Sequence, residues 1–343
     1  MARQRGEVLR ARRRKLDDST QDAIQRRFEE LAAAGDTLLT GTGHDAHAEA
    51  VRRHVDAVIA GLDGRTLDGV HLVVDAANGA ASEGAAATFA RLGARTELIH
   101  ASPNGRNIND RCGSTHPASL QAAVRERGAD LGIAFDGDAD RLLAVDHTGR
   151  LVDGDEIIAI CALDRHGRGR LQGDAVVVTV MANLGFRRAM AAAGIEVVDT
   201  AVGDRYVLEA LDARGLELGG EQSGHVIFRD LASTGDGLLS AVQLLDVVVR
   251  SGRSLAELAG AAMTRLPQVL RNVRVAAMPE GLDTALAPVI DAAAARLAGR
   301  GRVLIRPSGT EPLIRVMVEA ETDAEAAEEA DGLAAAIEAL LSR

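Results

Sequence analysis

ADLGIAFDGDAD, residues 129–140, sets a short apolar run directly against three aspartates spaced two apart, Asp136, Asp138 and Asp140. The run reads as a buried strand, and the aspartates fall where it ends. Carboxylates a few Å apart repel and raise one another's pKa values, so the pattern asks for a cation. Hard oxygen ligands suit Mg2+ or Ca2+, and small Gly137 and Ala139 let the backbone turn tightly enough for the carboxylates to converge. A calcium EF-hand loop fails on spacing, because its glycine at position six and its glutamate at position twelve would fall on Arg141 and His147. The competing reading is a solvated acidic turn at a strand end.

Outward from this strand, short β-branched runs alternate with helical stretches. VHLVVDAANGA (70–80) reads as a strand entering a glycine loop, EGAAATFARLG (83–93) as a helix closed by glycine, and HPASLQAAVRERG (116–128) as a helix with proline in its first turn. RLLAVDHTGRLV (141–152) reads as a hairpin and GDEIIAICALDRHG (154–167) as a helix. The style repeats from AVVVTVMA (175–182) to a helix at DGLLSAVQLLDVVVRSG (236–252), with GRGRLQG (167–173) as a surface connector. A break near Pro267 precedes a third unit with a strand at RNVRVA (271–276), a helix, paired strands and a final Ala/Glu-rich helix. The expected architecture is α/β, with two successive three-layer α/β domains followed by a small α+β C-terminal domain. The expected boundaries are 45–160, 161–268 and 269–343, with 1–44 a remnant of an earlier domain plus a helix.

A chain of 343 residues, 47% hydrophobic and 26% charged, can bury a sizeable core and divide into two or three units. A net charge of -11 and a pI near 5.4 exclude a nucleic-acid groove as the main activity, because phosphate backbones demand a basic face. Cys112 and Cys161 lie outside any C-x-x-C pattern and read as reduced, buried thiols. No apolar run has membrane-spanning length, and the cytoplasm is the expected location.

Two further stretches carry candidate chemistry. GGEQSGHVIF (219–228) brackets Glu221, Ser223 and His225 with glycines that permit close approach of a ligand. A carboxylate beside a hydroxyl can bind the hydroxyls of a sugar, although the same residues read equally as a polar hairpin turn with a satisfied histidine. RPSGTEPLIR (306–315) gathers Arg306, Ser308, Gly309, Thr310 and Arg315. Two guanidinium forks, two hydroxyls and glycine-freed backbone N–H groups can hold a phosphate dianion, and an ordinary Pro/Gly turn is the alternative.

Together these stretches resemble the phosphohexomutase superfamily, and within it the bacterial phosphoglucosamine mutases. DGDADR (136–141) is similar to the family's magnesium loop, with Ala139 in place of a usual glycine. GEQSGH resembles its sugar-recognition loop and RPSGTEPLIRVMVEA its phosphate-binding loop. DAANGAAS, PNGRNIND, VGDRYV and STGDG also fall in family order, so the resemblance runs from about residue 15 to the end. It implies one Mg2+ on Asp136, Asp138 and Asp140, the sugar on Glu221 and Ser223, and the non-reacting phosphate on Arg306, Ser308, Gly309, Thr310 and Arg315. Arg141 and Arg205 are implied near the reacting phosphate. The implied partner is a small sugar phosphate, with neither nucleic acid nor membrane. The implied reaction interconverts glucosamine 6-phosphate and glucosamine 1-phosphate, on the way to UDP-N-acetylglucosamine and cell-wall precursors. Phosphomannomutase and phosphoglucomutase are the rival assignments within the enzyme class.

The family donates the phosphoryl group from a serine in an Ala-Ser-His-Asn type loop, and no serine here sits in one. Ser19 reads as a helix cap, Ser102 precedes Pro103, and Ser308 belongs to the phosphate site. The expectation is a chain inactive as written, or a non-catalytic sugar-phosphate-binding remnant or regulator. Residues 1–15 carry seven basic residues against Glu7 alone in an otherwise acidic chain. For suitable third bases, a family stretch read one nucleotide out of register gives residues 2–13, so residues 2–14 are expected to be frame-shifted mutase sequence; the rival readings are a basic arm for a nucleic acid or partner and a basic targeting peptide. Loss of a neighbouring domain predicts an exposed apolar patch on the unit beginning near residue 45.

Overall fold

The structure is a computed structural model that describes residues 9–10, 14–15, 18–34, 45–275, 282–307 and 312–341. Most of the expected frame-shifted segment lies outside them. Within it, β1 (Leu9–Arg10) and β2 (Arg14–Lys15) pair antiparallel. Helix α1 (Asp18–Ala34) follows, and Ser19 lies inside its first turn rather than capping it from outside.

Helix α2 (His47–Ala60) leads into β3 (His71–Asp75), α3 (Ala81–Arg91), β4 (Arg95–Ile99), α4 (Ala118–Arg127), β5 (Leu131–Phe135), β6 (Leu142–Asp146) and β7 (Leu151–Val152). The sheet order is β4-β3-β5-β6-β7, with β3, β4 and β5 parallel and β6 and β7 antiparallel. Every residue of β5 is buried, as a central strand covered on both faces requires. Its alternate residues divide between two cores. Leu131, Ile133 and Phe135 join α3 in the main core, and Ala134 packs with Leu120 and Val124 of α4 on the opposite face. Gly132 makes room for α4, since a Cβ there would stand 2.6 Å from Val124 Cγ2. The expected three layers are therefore present.

The second unit repeats this plan. It runs α5 (Gly154–Gly167), β8 (Ala175–Thr179), α6 (Leu184–Ala192), β9 (Glu196–Thr200), α7 (Asp204–Arg214), β10 (Leu218–Gly220), β11 (Val226–Phe228), α8 (Gly237–Ser251) and α9 (Leu255–Ala262). Strand order is β11-β10-β8-β9, parallel except for β11. Helix α5 starts sharply because Asp153 and Glu156 form a reciprocal capping box, and α8 starts on the Asp236 side chain. The short α9, with its own box of Ser254 and Glu257, had no separate reading in the sequence.

In the third unit, β12 (Gln268–Arg274), β13 (Arg302–Pro307) and β14 (Leu313–Glu319) form an antiparallel sheet in the order β12-β14-β13. Strand β12 begins directly after Pro267, three residues ahead of the stretch read from sequence. Helices α10 (Leu282–Leu297) and α11 (Asp323–Leu341) supply its core with Leu286, Leu297, Leu333 and Ile337. The unit is tied to the second by Glu319, fully buried, which accepts from Leu184 N–H at 3.0 Å and Arg302 Nε at 3.0 Å. The Arg302 guanidinium also donates to the carbonyls of Val180 and Ala182, both at 2.9 Å.

The apolar surface differs from expectation. Among the described residues the exposed large hydrophobics include none between 45 and 160, while Ile24, Phe28 and Leu31 are exposed on α1. Their spacing of four and three places them along one stripe of that helix. The apolar side chains of the first α/β unit are consumed by its two cores, so the exposed stripe belongs to the preceding helix. No described helix is long and apolar enough to cross a membrane.

Candidate active site

The loop after β5 turns back into β6 within six residues, and Ala139 adopts a left-handed φ of 62° to allow it. One carboxylate oxygen from each of Asp136, Asp138 and Asp140 then lies within 4.8 Å of the others. Asp136 is buried, Asp138 exposed and Asp140 between. Burial, then the charge of Asp140 and hydrogen bonding to Asp138 and Asp140, pushes the Asp136 carboxyl up to about 7. Burial would raise Asp140 too, but His225 bonded to it prevails and holds it at about 2. Three convergent carboxylates, with His225 on Asp140 alone and the Arg141 charge beside it, are short of positive charge. That deficit, together with an all-oxygen donor set, fits a hard divalent cation.

Backbone bonds hold the aspartate loop and the β10–β11 turn in one neighbourhood. Leu142 N–H, where the loop enters β6, donates to Gly224 O of the turn at 3.0 Å; the start of α5 holds the turn through Gly154 N–H to Gln222 O at 3.1 Å, and the start of α8 holds the loop through Gly237 N–H to Ala139 O at 2.9 Å. The close approach needs glycines: a Cβ on Gly154 would stand 2.1 Å from Glu221 O, and one on Gly224 2.1 Å from Leu142 O. His225, at the end of the turn, is buried and lies 3.0 Å from Asp140 Oδ2 and 3.8 Å from Asp204 Oδ2. The satisfied-histidine reading therefore describes His225 itself. Asp204, at the start of α7, was not singled out from sequence, and only the stretch VGDRYV pointed to it.

Of the other candidates, Arg141 is exposed, and its N–H donates to Asp136 Oδ1 at 3.0 Å. Glu221 is half-buried, with Oε1 accepting from Gly203 N–H at 3.0 Å, and Ser223 is exposed at the tip of the turn. Arg205 pairs with Glu209 one helical turn along α7 at 2.8 Å. The third unit meets the turn where the Gln222 side-chain amide donates to Gln268 Oε1 at 3.3 Å. Arg306 and Arg315 face each other in register across β13 and β14. Burial and then the Arg315 charge lower the Arg306 pKa, which marks a locus that favours an anion. Ser308, Gly309 and Thr310 lie outside the described residues.

Comparison with known proteins decides the family. The chain matches "Phosphoglucomutase/phosphomannomutase, alpha/beta/alpha domain II" over residues 46–149, domain III of the same series over 153–266, and its C-terminal domain over 257–336. It is 52% identical over 311 residues to a phosphoglucosamine mutase of Moorella thermoacetica, covering 89% of this chain and 69% of that one. The chain belongs to the phosphoglucosamine mutases. The relative from Frankia alni is 53% identical over 329 residues, covering 95% and 72%. By family the protein is thus an isomerase of the phosphotransferase kind within the phosphohexomutase superfamily. A Phosphoglucomutase/phosphomannomutase family protein of Burkholderia thailandensis superposes with TM-score 0.72 at 26% identity, over 93% of this chain and 70% of that one. The N-acetylphosphoglucosamine mutase of Aspergillus fumigatus, solved with GlcNAc-6P and magnesium, shares the fold at TM-score 0.70 and 23% identity, over 88% and 68%.

Proposed function

We infer that this phosphoglucosamine mutase chain holds Mg2+ on Asp136, Asp138 and Asp140 and binds an amino-sugar phosphate beside it. Glu221 and Ser223 would hold the sugar hydroxyls. Arg306, Ser308, Gly309, Thr310 and Arg315 would hold the phosphate that does not react, with Arg141 and Arg205 beside the one that does. The substrates would be glucosamine 6-phosphate and glucosamine 1-phosphate. The single observation that supports this reading is that Leu142 N–H on Gly224 O and His225 on Asp140 bring the aspartate loop and the Glu221 turn side by side. A bound Mg2+ would neutralise charge on the transferring phosphoryl group. The chain's own groups would orient the sugar and clamp its far phosphate. The three sheets support three units, close to 45–160, 161–268 and 269–343, except that α5 (Gly154–Gly167) spans the first of those boundaries and belongs with the second unit, and two free, buried cysteines suit the cytoplasm.

The test is calorimetric titration of the 343-residue chain with glucosamine 6-phosphate, with and without Mg2+. Expected are one sugar-phosphate site and one Mg2+ site, weaker sugar-phosphate binding in Glu221→Gln, and a lost Mg2+ site in Asp138→Asn. Tighter binding of glucose or mannose phosphates than of the amino sugar would overturn the substrate assignment.

A further inference from the structure

A second cluster of ligand-type side chains lies outside the aspartate loop. Strands β3 and β4 run in parallel with Asp75 opposite Ile99, so Asp75 and His100, the residue that follows β4, emerge at the same edge of the sheet. The loop after His100 returns to that edge. Gly113 N–H donates to Asp75 Oδ2 at 2.9 Å, Ser114 N–H donates to Phe135 O at 2.8 Å, and Cys112 is thereby buried beside Asp75. His100 Nδ1 lies 3.0 Å from Asp75 Oδ2. A carboxylate oxygen, a ring nitrogen and the thiol sulfur of these three residues all lie within 4.8 Å of one another.

We propose that Asp75, His100 and Cys112 form a second metal site, selective for a borderline-soft divalent ion such as Zn2+. The donor set is the argument. Oxygen, nitrogen and sulfur together are what tetrahedral Zn2+ accepts, whereas the aspartate loop offers oxygen alone. Zinc bonds of about 2.0–2.3 Å place neighbouring ligands roughly 3.5 Å apart, so no pair of these atoms, all within 4.8 Å, has to close by more than about 1.3 Å. Two further features suit it. Ala77, Asn78, His100, Asn109 and Arg111, all in the surrounding loops, hold left-handed backbone conformations, which surrounding structure maintains only where it is constrained from several sides. His100 is partly exposed, which leaves a way in from solvent. On binding, Cys112 exchanges its S–H bond for a sulfur–metal bond and the proton leaves to solvent. Burial, with the charges of Asp75 and Asp110, pushes the free thiol up, so the cation itself supplies the charge that ionises it.

The proposal is independent of the sugar-phosphate reading. Its test is titration of the reduced, metal-free chain with Co2+ in excess Mg2+, read by thiolate-to-cobalt charge-transfer absorption in the near ultraviolet. An all-oxygen site gives no such band. The expected result is one equivalent of Co2+ carrying the band, displaced by Zn2+, lost in Cys112→Ser and retained in Cys161→Ser. His100→Ala, with its circular dichroism unchanged, should weaken Co2+ binding by roughly tenfold or more. No charge-transfer band in the wild-type chain, a band that survives Cys112→Ser, or unchanged affinity in His100→Ala would each overturn the site. If Cys112→Ser fails to fold, the His100→Ala titration decides alone.

Discussion

His225 Nδ1 stands 3.0 Å from Asp140 Oδ2, and the two residues belong to different domains of the family's fold. The residue that closes the β10–β11 turn is therefore the partner of the last aspartate of the loop after β5. Removing it in His225→Ala frees Asp140 to rise from about 2 toward the ordinary carboxylate range, where protons compete with the cation. Mg2+ affinity should fall by roughly tenfold or more, and more at pH 5 than at pH 8. Calorimetric Mg2+ titration at both values reads this, and wild-type affinity at both would reduce His225 to packing.

Gly154 is the first residue of α5 and lies under the β10–β11 turn, 2.1 Å from Glu221 O to where a Cβ would be. Gly154→Ala has an ordinary helical backbone to adopt, so its whole effect is the collision with backbone. The collision should cost about 1–3 kcal/mol of stability and move the turn away from the aspartate loop. Glucosamine 6-phosphate binding should weaken more than Mg2+ binding. Urea unfolding and paired titrations measure the two effects, and equal losses for both ligands would place the disturbance elsewhere.

Much of this arrangement was legible from local pattern. The fully apolar strand LGIAF, the glycine-closed helices and the spaced aspartates each carry their reading within a dozen residues, and the family motifs order them along the chain. The partnerships that cross the fold were not legible. His225 meets Asp140 across 85 residues, and no spacing rule separates a histidine that anchors a carboxylate from one that fills a turn. Glu221 illustrates the same limit, because one of its oxygens is engaged by Gly203 N–H, which no sequence pattern records. The apolar patch expected on the unit beginning near residue 45 rests on the family resemblance, whereas the exposed Ile24, Phe28 and Leu31 lie on α1, where their own spacing of four and three was there to be read.

Asp155 is buried in the second unit, with one oxygen accepting from Asn183 N–H at 2.8 Å and the other without a partner among the described residues. Burial, then the charge of Asp153, pushes it up to about 7, against the opposing pull of Asn183 N–H and Arg265. A folded pKa above the unfolded value means the folded state binds the extra proton. Its stabilising contribution is complete below about pH 4 and is lost as pH rises through about 7. With Mg2+ saturating, so that Asp136 is held ionised by the cation, wild-type stability should fall between pH 5 and 8 by an amount on the order of a few kcal/mol. Asp155→Asn should flatten that slope. Urea midpoints across the range test it, and an unchanged slope would show that Asp155 stays ionised throughout.

Arg306 and Arg315 separate function from stability most cleanly. They face each other across β13 and β14, and burial together with the Arg315 charge already lowers the Arg306 pKa, so two like charges are held together without benefit to the empty fold. Arg315→Gln removes the repulsion and leaves the β14 ladder, with its pairing to β12 and β13, intact. The metal-free, ligand-free chain should keep or slightly raise its melting temperature. Affinity for glucosamine 6-phosphate should fall by roughly tenfold or more, because one charge-assisted pair to a phosphate is lost. If Arg315 instead supported the sheet, the melting temperature would drop while sugar-phosphate affinity, measured on the remaining folded protein, stayed level.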